Sequence, residues 1–359
     1  MKESFSLNFE NFKELFSKNF LIVISISLSS AFLADFLKVP LAWMIGPMIV
    51  VSIATLNGLK LYMPKLALSF TLIILGLHIG NYIDQSLISQ ITNWFWTSII
   101  MFAYIIVSII IVSKYLQRFS NFNQKTSIFS AAPGALGPLL ILAEYENSNL
   151  SQVATAHLIR LFIIITIFPF IIINFSAFEL LDVNKFDYMS QNHFDLLKLI
   201  CFSLVLIFIF NKIKIPAALL SGTLIASGIF QISEIASYKL PKETINFCLL
   251  ILGASVGCKF INKTMKEIAK NLFHALIATI LLIILGLFAA LIANFFVDKD
   301  FLTLVLSFCP GGIYEISVIA IAFDLEPEFV AFHHIVRLLF ILFLIPVILK
   351  LLEKTRSKS

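Results

Sequence analysis

Along this chain apolar stretches follow one another with short polar intervals, and they can be drawn as twelve segments in two sets of six. The first set runs near 20–37, 41–56, 66–79, 94–115, 127–143 and 153–175; the second runs near 197–210, 217–230, 245–256, 272–296, 301–323 and 329–351. Such stretches predict helices that cross lipid, where no water is present to pair an open backbone amide. One long polar interval, 176–196, holds Glu179, Asp182, Asp187, Asn192 and Asp195 and reads as the linker between the sets. Ahead of the first stretch, Phe5, Phe9, Phe12 and Phe16 recur at helical spacing among Lys2, Glu3, Glu10, Lys13, Glu14 and Lys18, which predicts an interfacial helix over 1–18. The acidic residues of that leader argue against a cleaved signal peptide. Membrane repeats are thus expected at 19–175 and 197–352, with a basic tail at 353–359.

The two sets are copies of one unit. At an offset of 177 residues Pro133-Gly134 returns as Pro310-Gly311, His157-Leu158-Ile159-Arg160 as His334-Ile335-Val336-Arg337, and Pro169 as Pro346. Pro64 matches Pro241, and Gly76-x-x-x-Gly80 matches Gly253-x-x-x-Gly257; one residue of slip brings Pro40 and Gly46 onto Pro216 and Gly222. A duplicated hydrophobic unit interrupted at matching places is the pattern of many secondary transporters.

Composition agrees with a membrane protein: 59% of the 359 residues are hydrophobic and 13% charged, against about 25% charged in a soluble domain. The expected fold is an all-α polytopic transmembrane bundle of two homologous repeats with interrupted helices. If all twelve segments cross, seventeen loop lysines and arginines fall on the face holding both termini and seven on the other, which predicts cytoplasmic termini. Lys259, Lys263, Lys266 and Lys270 fall on the wrong face in that arrangement. The third and ninth segments are short enough to be re-entrant. Six crossings per copy make the repeats parallel and five make them inverted; parallel repeats are expected, on the ground that inversion would carry the lysine-rich C-terminus outside.

Each Pro-Gly pair should break its helix, since proline removes an amide donor and glycine tolerates unusual backbone angles. A broken membrane helix exposes N–H groups at a half-helix start, which favour an anion; the alternative is a packing kink. Arg160 and Arg337 sit deep in apolar helices, where a cation needs a partner. They are candidate substrate ligands, or else they snorkel or tie broken-helix carbonyls together. His157 and His334 lie on the same helix face as their arginines, and His333 is present only in the second copy. Together these side chains make a candidate clamp or proton relay. Glu315 follows Pro310-Gly311-Gly312, while Pro138 stands at its place in the first copy; Glu315 is expected to pair with Arg337 or to carry a coupling proton. Gly76, Gly80, Gly253 and Gly257 are read as helix-packing positions. Cys201, Cys248, Cys258 and Cys309 show no metal-like spacing, and no nucleotide, hydrolase or zinc-protease motif occurs. No metal, cofactor or nucleic-acid partner is expected.

With these motifs in view, the chain resembles the AbrB family of bacterial inner-membrane proteins, which is distinct from the soluble DNA-binding regulator of that name. The resemblance rests on four elements in each half: Pro40 to Gly46 and Pro216 to Gly222; Leu75 to Gly80 and Leu252 to Gly257; the Pro-Gly break; and the Val-Ala-x-x-His-x-x-Arg helix. It spans about 20–351. The first copy departs from the fuller Pro-Gly-Gly-x-x-Glu pattern, because Pro133-Gly134-Ala135-Leu136-Gly137-Pro138 holds no acid. Members are labelled regulators of gene expression or ammonia monooxygenases; an oxygenase would have to draw its metal ligands from His157, His333, His334 and Glu315. The expected function is a secondary transporter or permease for a small organic anion, with a membrane regulator as the alternative and a monooxygenase third. Its partners are the lipid bilayer and that small molecule; a homo-oligomer is left open.

Overall fold

The computed structural model describes residues 9–83, 85–175, 193–213, 215, 217–233 and 240–356, and among these there is helix but no strand. Pro216, residues 176–192 of the linker, the first eight residues and 357–359 of the tail lie outside the described residues. In the first copy α1 (Phe9–Leu15) is followed by α2 (Lys18–Phe36), α3 (Ala42–Leu56), α4 (Lys65–Gly80), α5 (Gln85–Phe119), α6 (Gln124–Ala131), α7 (Leu136–Tyr145) and α8 (Leu150–Phe175). The second copy runs α9 (His193–Lys212), α10 (Ala218–Ile232), α11 (Lys242–Cys258), α12 (Met265–Ala293), α13 (Phe301–Phe308), α14 (Ile313–Ala322) and α15 (Pro327–Arg356). From α2 onward the two copies correspond helix by helix.

Among the described residues six helices are long and apolar enough to cross a membrane, in or as α2, α5, α8, α9, α12 and α15. Large apolar side chains such as Phe36, Phe208, Phe273, Phe288 and Phe343 point outward, as lipid contact allows and water would not. Several helix ends are capped by side chains: Ser17 accepts from the Phe20 N–H, Asn123 from the Thr126 N–H, and Thr264 forms a reciprocal capping box with Glu267. The starts of α3, α7, α10 and α14 carry no side-chain cap.

The fifth segment of each copy turns back instead of crossing. Lys125 pairs with Glu146, and Thr126 Oγ1 accepts from the Asn149 N–H at 3.0 Å, so the start of α6 and the end of α7 lie at one level. Lys299 and Glu326 close the second hairpin, α13–α14, at its base in the same way. Pro133-Gly134 and Pro310-Gly311 lie between the paired short helices and form the tips. Helix α8 starts at the base of its hairpin and reaches the tip at Arg160. That rise of ten residues is about 15 Å, half of a hydrocarbon core of about 30 Å.

The copies are inverted, which corrects the expectation of parallel repeats. The corresponding helices α5 and α12 run antiparallel: Trp96 stacks on Phe296, Tyr104 Oη donates to the Leu282 carbonyl, and Tyr115 reaches His274. The expectation failed because an apolar run interrupted at its middle has the same length whether it crosses once or dips halfway and returns. The segments that turn back are the fifth and eleventh, not the third and ninth. With α2, α3, α4, α5 and α8 as the remaining passes, five in each copy carry the chain across and the ten of both copies bring it back to its starting face, so the C-terminal lysines do not favour parallel repeats. Inversion also moves Lys259, Lys263, Lys266 and Lys270 onto the face shared by α1 and the end of α15. Among the described lysines and arginines outside the core, only Lys38, Lys198, Lys242 and Lys299 then face the other way. Pro169 and Pro346 break nothing; each lies inside a continuous helix.

Glycine decides how the copies interlock. A Cβ on Gly76 would meet Thr223 Oγ1 at 1.9 Å, and one on Gly80 would meet Ser227 Cβ at 2.4 Å, so α4 lies backbone-close against α10. Gly253 and Gly257 do the same for α11 on α3, at 2.1 Å from the Met44 carbonyl and 2.8 Å from Val51 Cβ. Helix α2 packs on α3 and α9 on α10, completing one body; α5, α8, α12, α15 and the two hairpins make the other. Each body draws on both copies.

Candidate functional site

The two hairpin tips come together deep inside the protein. Each short helix that ends at a tip leaves carbonyls without an intrahelical partner, which lipid cannot hydrate. Arg160 supplies the donors in the first copy: Nη1 donates to the Ala132 carbonyl at 2.6 Å and Nη2 to that of Ser130 at 2.5 Å. Arg337 does so in the second, through Nη1 to Cys309 and through Nη2 to Gly311 at 2.5 Å. A cation at a helix C-terminus also offsets the negative end of the dipole. Of the roles weighed for these arginines, the geometry matches the tying of broken-helix carbonyls.

The histidines extend the brace. His157 Nε2 meets the Phe129 carbonyl at 2.9 Å and His334 Nε2 that of Leu306 at 3.0 Å. Because a carbonyl can only accept, each Nε2 carries the proton. Arg337 Nη2 then donates to His334 Nδ1 at 2.9 Å, which makes His334 the neutral tautomer. His333 faces elsewhere, bonded to Thr97 Oγ1 at 2.7 Å and to the Phe329 carbonyl at 2.9 Å among Trp94, Phe308 and Phe332. Among the described residues no three His, Cys, Asp or Glu side chains gather as metal ligands would. The residues weighed for that role act singly, each on its own partner.

Glu315 departs from expectation. Its carboxylate is buried, and its Oε1 lies 3.9 Å from Lys259 Nζ instead of pairing with Arg337. Its other oxygen folds over Gly312, where a Cβ would stand 2.0 Å from Oε2, so the acid covers the N-terminus of its own helix α14. In the first copy that start is Ala135, in the left-handed conformation at φ 61° and without a side-chain cap. Gly134 beside it has φ +118°, and a Cβ there would lie 3.1 Å from Arg337 Nη2. The guanidinium that braces the second tip therefore touches the first. Neither Arg160 nor Arg337 has a carboxylate partner among the described residues, so two positive charges lie buried where the tips meet.

Between the two bodies, on the face where the second hairpin has its base, lies a cavity of about 210 Å³. Its walls come from the end of α2, the start of α3, the end of α4, the start of α11 and the last two turns of α14. His78, Asp35 and Lys242 line it. Sequence reasoning passed over all three. The available signal was His78, a histidine in an apolar helix whose counterpart in the other copy is Ser255.

These features define a polytopic helical membrane protein built from inverted repeats with paired re-entrant hairpins. The chain belongs to the family described as transition state regulatory protein AbrB, whose model matches residues 11–353. It is 22% identical to the uncharacterized Bacillus subtilis protein YhjN, over 94% of this chain and 95% of that one. It is 23% identical to the Escherichia coli protein named "Putative regulator AbrB", over 94% of this chain and 97% of the relative. No solved structure matches.

Proposed function

We propose that the protein is a secondary transporter for a small organic anion, with both termini in the cytoplasm and the chain in the bacterial inner membrane. The observation that carries this reading is the meeting of two hairpin tips from opposite faces around two buried guanidinium groups that lack a carboxylate partner. Inverted repeats that place broken helices at the midplane are the architecture in which alternating access is built. The guanidiniums hold the tips rather than reach into open space, so they act on an anion through their field and by keeping the half-helix starts in place. The division into two bodies supports relative movement, and the cavity between them supports access from one face. The lysines gathered on the face of α1 support the cytoplasmic assignment.

The test is a thermal-stability screen of the detergent-purified protein against small carboxylates, amines and sugars, followed by uptake into proteoliposomes. A ligand at about a hundred times its dissociation constant adds about 2.7 kcal/mol to a reversible folded state. Stabilisation and uptake of one anion class support the reading; a folded protein that neither responds to nor carries any solute overturns it. A second reading, a membrane regulator of gene expression, is favoured by the description of the family and the name of the Escherichia coli relative. Capture of a signalling partner by a transport-inactive protein would select it.

A further inference from the structure

We propose that the cavity between α4, α11 and α14 is a binding site for a small amphoteric molecule, one that carries a carboxylate and an ammonium group on a short apolar body. Three observations carry this. Asp35 and Lys242 line the same cavity at its exposed rim, yet neither makes a salt bridge, with each other or with another described residue. Opposite charges around one small space that do not close on each other are arranged for a ligand that spans them.

Second, His78 forms part of the deeper wall, 8% exposed, and its Nδ1 has no hydrogen-bond partner. That nitrogen is sealed from the cavity, so His78 contributes the body of its ring to the wall. Asn246, half-buried on α11, adds an amide to the same wall. The third observation is the lining between these polar groups, with Trp43 and Leu249 on one body and Val318 and Ile321 on the other. An apolar cavity of about 150 Å³ takes benzene, so 210 Å³ takes a body somewhat larger than a six-carbon ring. Apolar walls with a few convergent polar groups are the usual make-up of a small-molecule site.

The inference narrows the transporter reading from organic anions at large to carboxylates that also carry an ammonium group and are net neutral. It rests on that reading for the fate of the ligand and not for its binding. Because α14 supplies one wall and the other body the rest, occupancy bears on how the second hairpin sits against α4 and α11.

The probes are leucine and 5-aminopentanoate, against 4-methylpentanoate, which lacks the ammonium group, and isopentylamine, which lacks the carboxylate. Thermal stability and equilibrium binding are measured on the full chain in detergent. At least one amphoteric probe is expected to bind, with both single-charge analogues at least tenfold weaker. Asp35→Asn and Lys242→Gln are each expected to weaken it at least tenfold, and His78→Phe, which exchanges the imidazole for a slightly larger apolar ring, to weaken it. Should His78→Phe fail to fold, the two exposed rim variants decide. The proposal is overturned if neither amphoteric probe binds at 10 mM, if the analogues bind equally well, or if the variants leave binding unchanged. Binding of an amphoteric probe by a protein that carries no solute at all into proteoliposomes overturns the transporter reading and leaves the site. Uptake of any solute with binding untouched by the variants overturns the site and leaves the transporter reading.

Discussion

The two hairpins share a brace and differ in charge. In both, a His-x-x-Arg pair on the following helix takes up carbonyls of the broken helix, with the guanidinium reaching the tip. Only the second hairpin places a carboxylate over the start of its returning helix, and only there does the arginine also bond its histidine. Duplication has kept what holds the tips and let the rest diverge. The residues common to both copies hold the tips, and the differences between the two hairpins lie at Glu315, Lys259 and the cavity beside α14.

Breaking the brace should have the largest effect. Arg337→Met leaves buried carbonyls bare at one tip and removes the contact with Gly134 at the other. Loss of one partner from a buried charged network costs about 3–5 kcal/mol, so the variant should lose most of its thermal stability or fail to accumulate. Arg160→Met should do the same less severely, because Arg160 bonds only the Ala132 and Ser130 carbonyls, does not bond His157, and leaves its Nε without a partner. Equal tolerance of both substitutions, judged by melting temperature in detergent, would remove the structural role.

Next come the crossings of the two copies. Gly253→Val and Gly76→Val would each push atoms against a neighbour that already lies about 2 Å from the added Cβ. Overpacking costs about 1–3 kcal/mol, and the two interfaces should respond alike because they are related by the repeat. A large fall in melting temperature for one and none for the other would break the equivalence.

Glu315→Gln should separate fold from function. Lys259 is 40% exposed, so its ion pair contributes about 1 kcal/mol or less after solvent screening. Melting temperature should barely move while solute uptake, or its dependence on pH, is lost; a collapse of the fold would instead make Glu315 a structural cap. Smallest of all are the pairs at the hairpin bases. Lys125→Met should change stability by about 0–1 kcal/mol, and Lys299→Met by somewhat more, since the side chain of Lys299 is 9% exposed against 33% for Lys125.

The membrane class, the repeat and the helix breaks at Pro133 and Pro310 were legible because proline, glycine and long apolar runs act locally. The direction of the second copy was not, since it turns on whether one interrupted segment crosses or returns, and hydropathy is the same for both. The misplaced lysines from Lys259 to Lys270 were the signal that a crossing had been miscounted. The depth of Arg160 and Arg337 was also legible, and the tying of broken-helix carbonyls was among their expected roles; which carbonyls they meet was not, because backbone carbonyls have no letter in a sequence, and Glu315 looked like the natural counter-charge to Arg337. The cavity escaped because its residues come from five helices and become neighbours only after the copies interlock.

The exchange of helices between copies sets a condition on biosynthesis. Met44 on α3 finds its place against Gly253 on α11, about two hundred residues later in synthesis, which at about 5–20 residues per second is a delay of roughly 10–40 s. Through that interval the glycine seam of α4 and the face of α3 stand in the bilayer without the helices that will cover them. The insertion machinery must hold a half-made protein open until its second half arrives, and a truncated message ending at the linker would leave a fragment whose sticky faces match those of another such fragment.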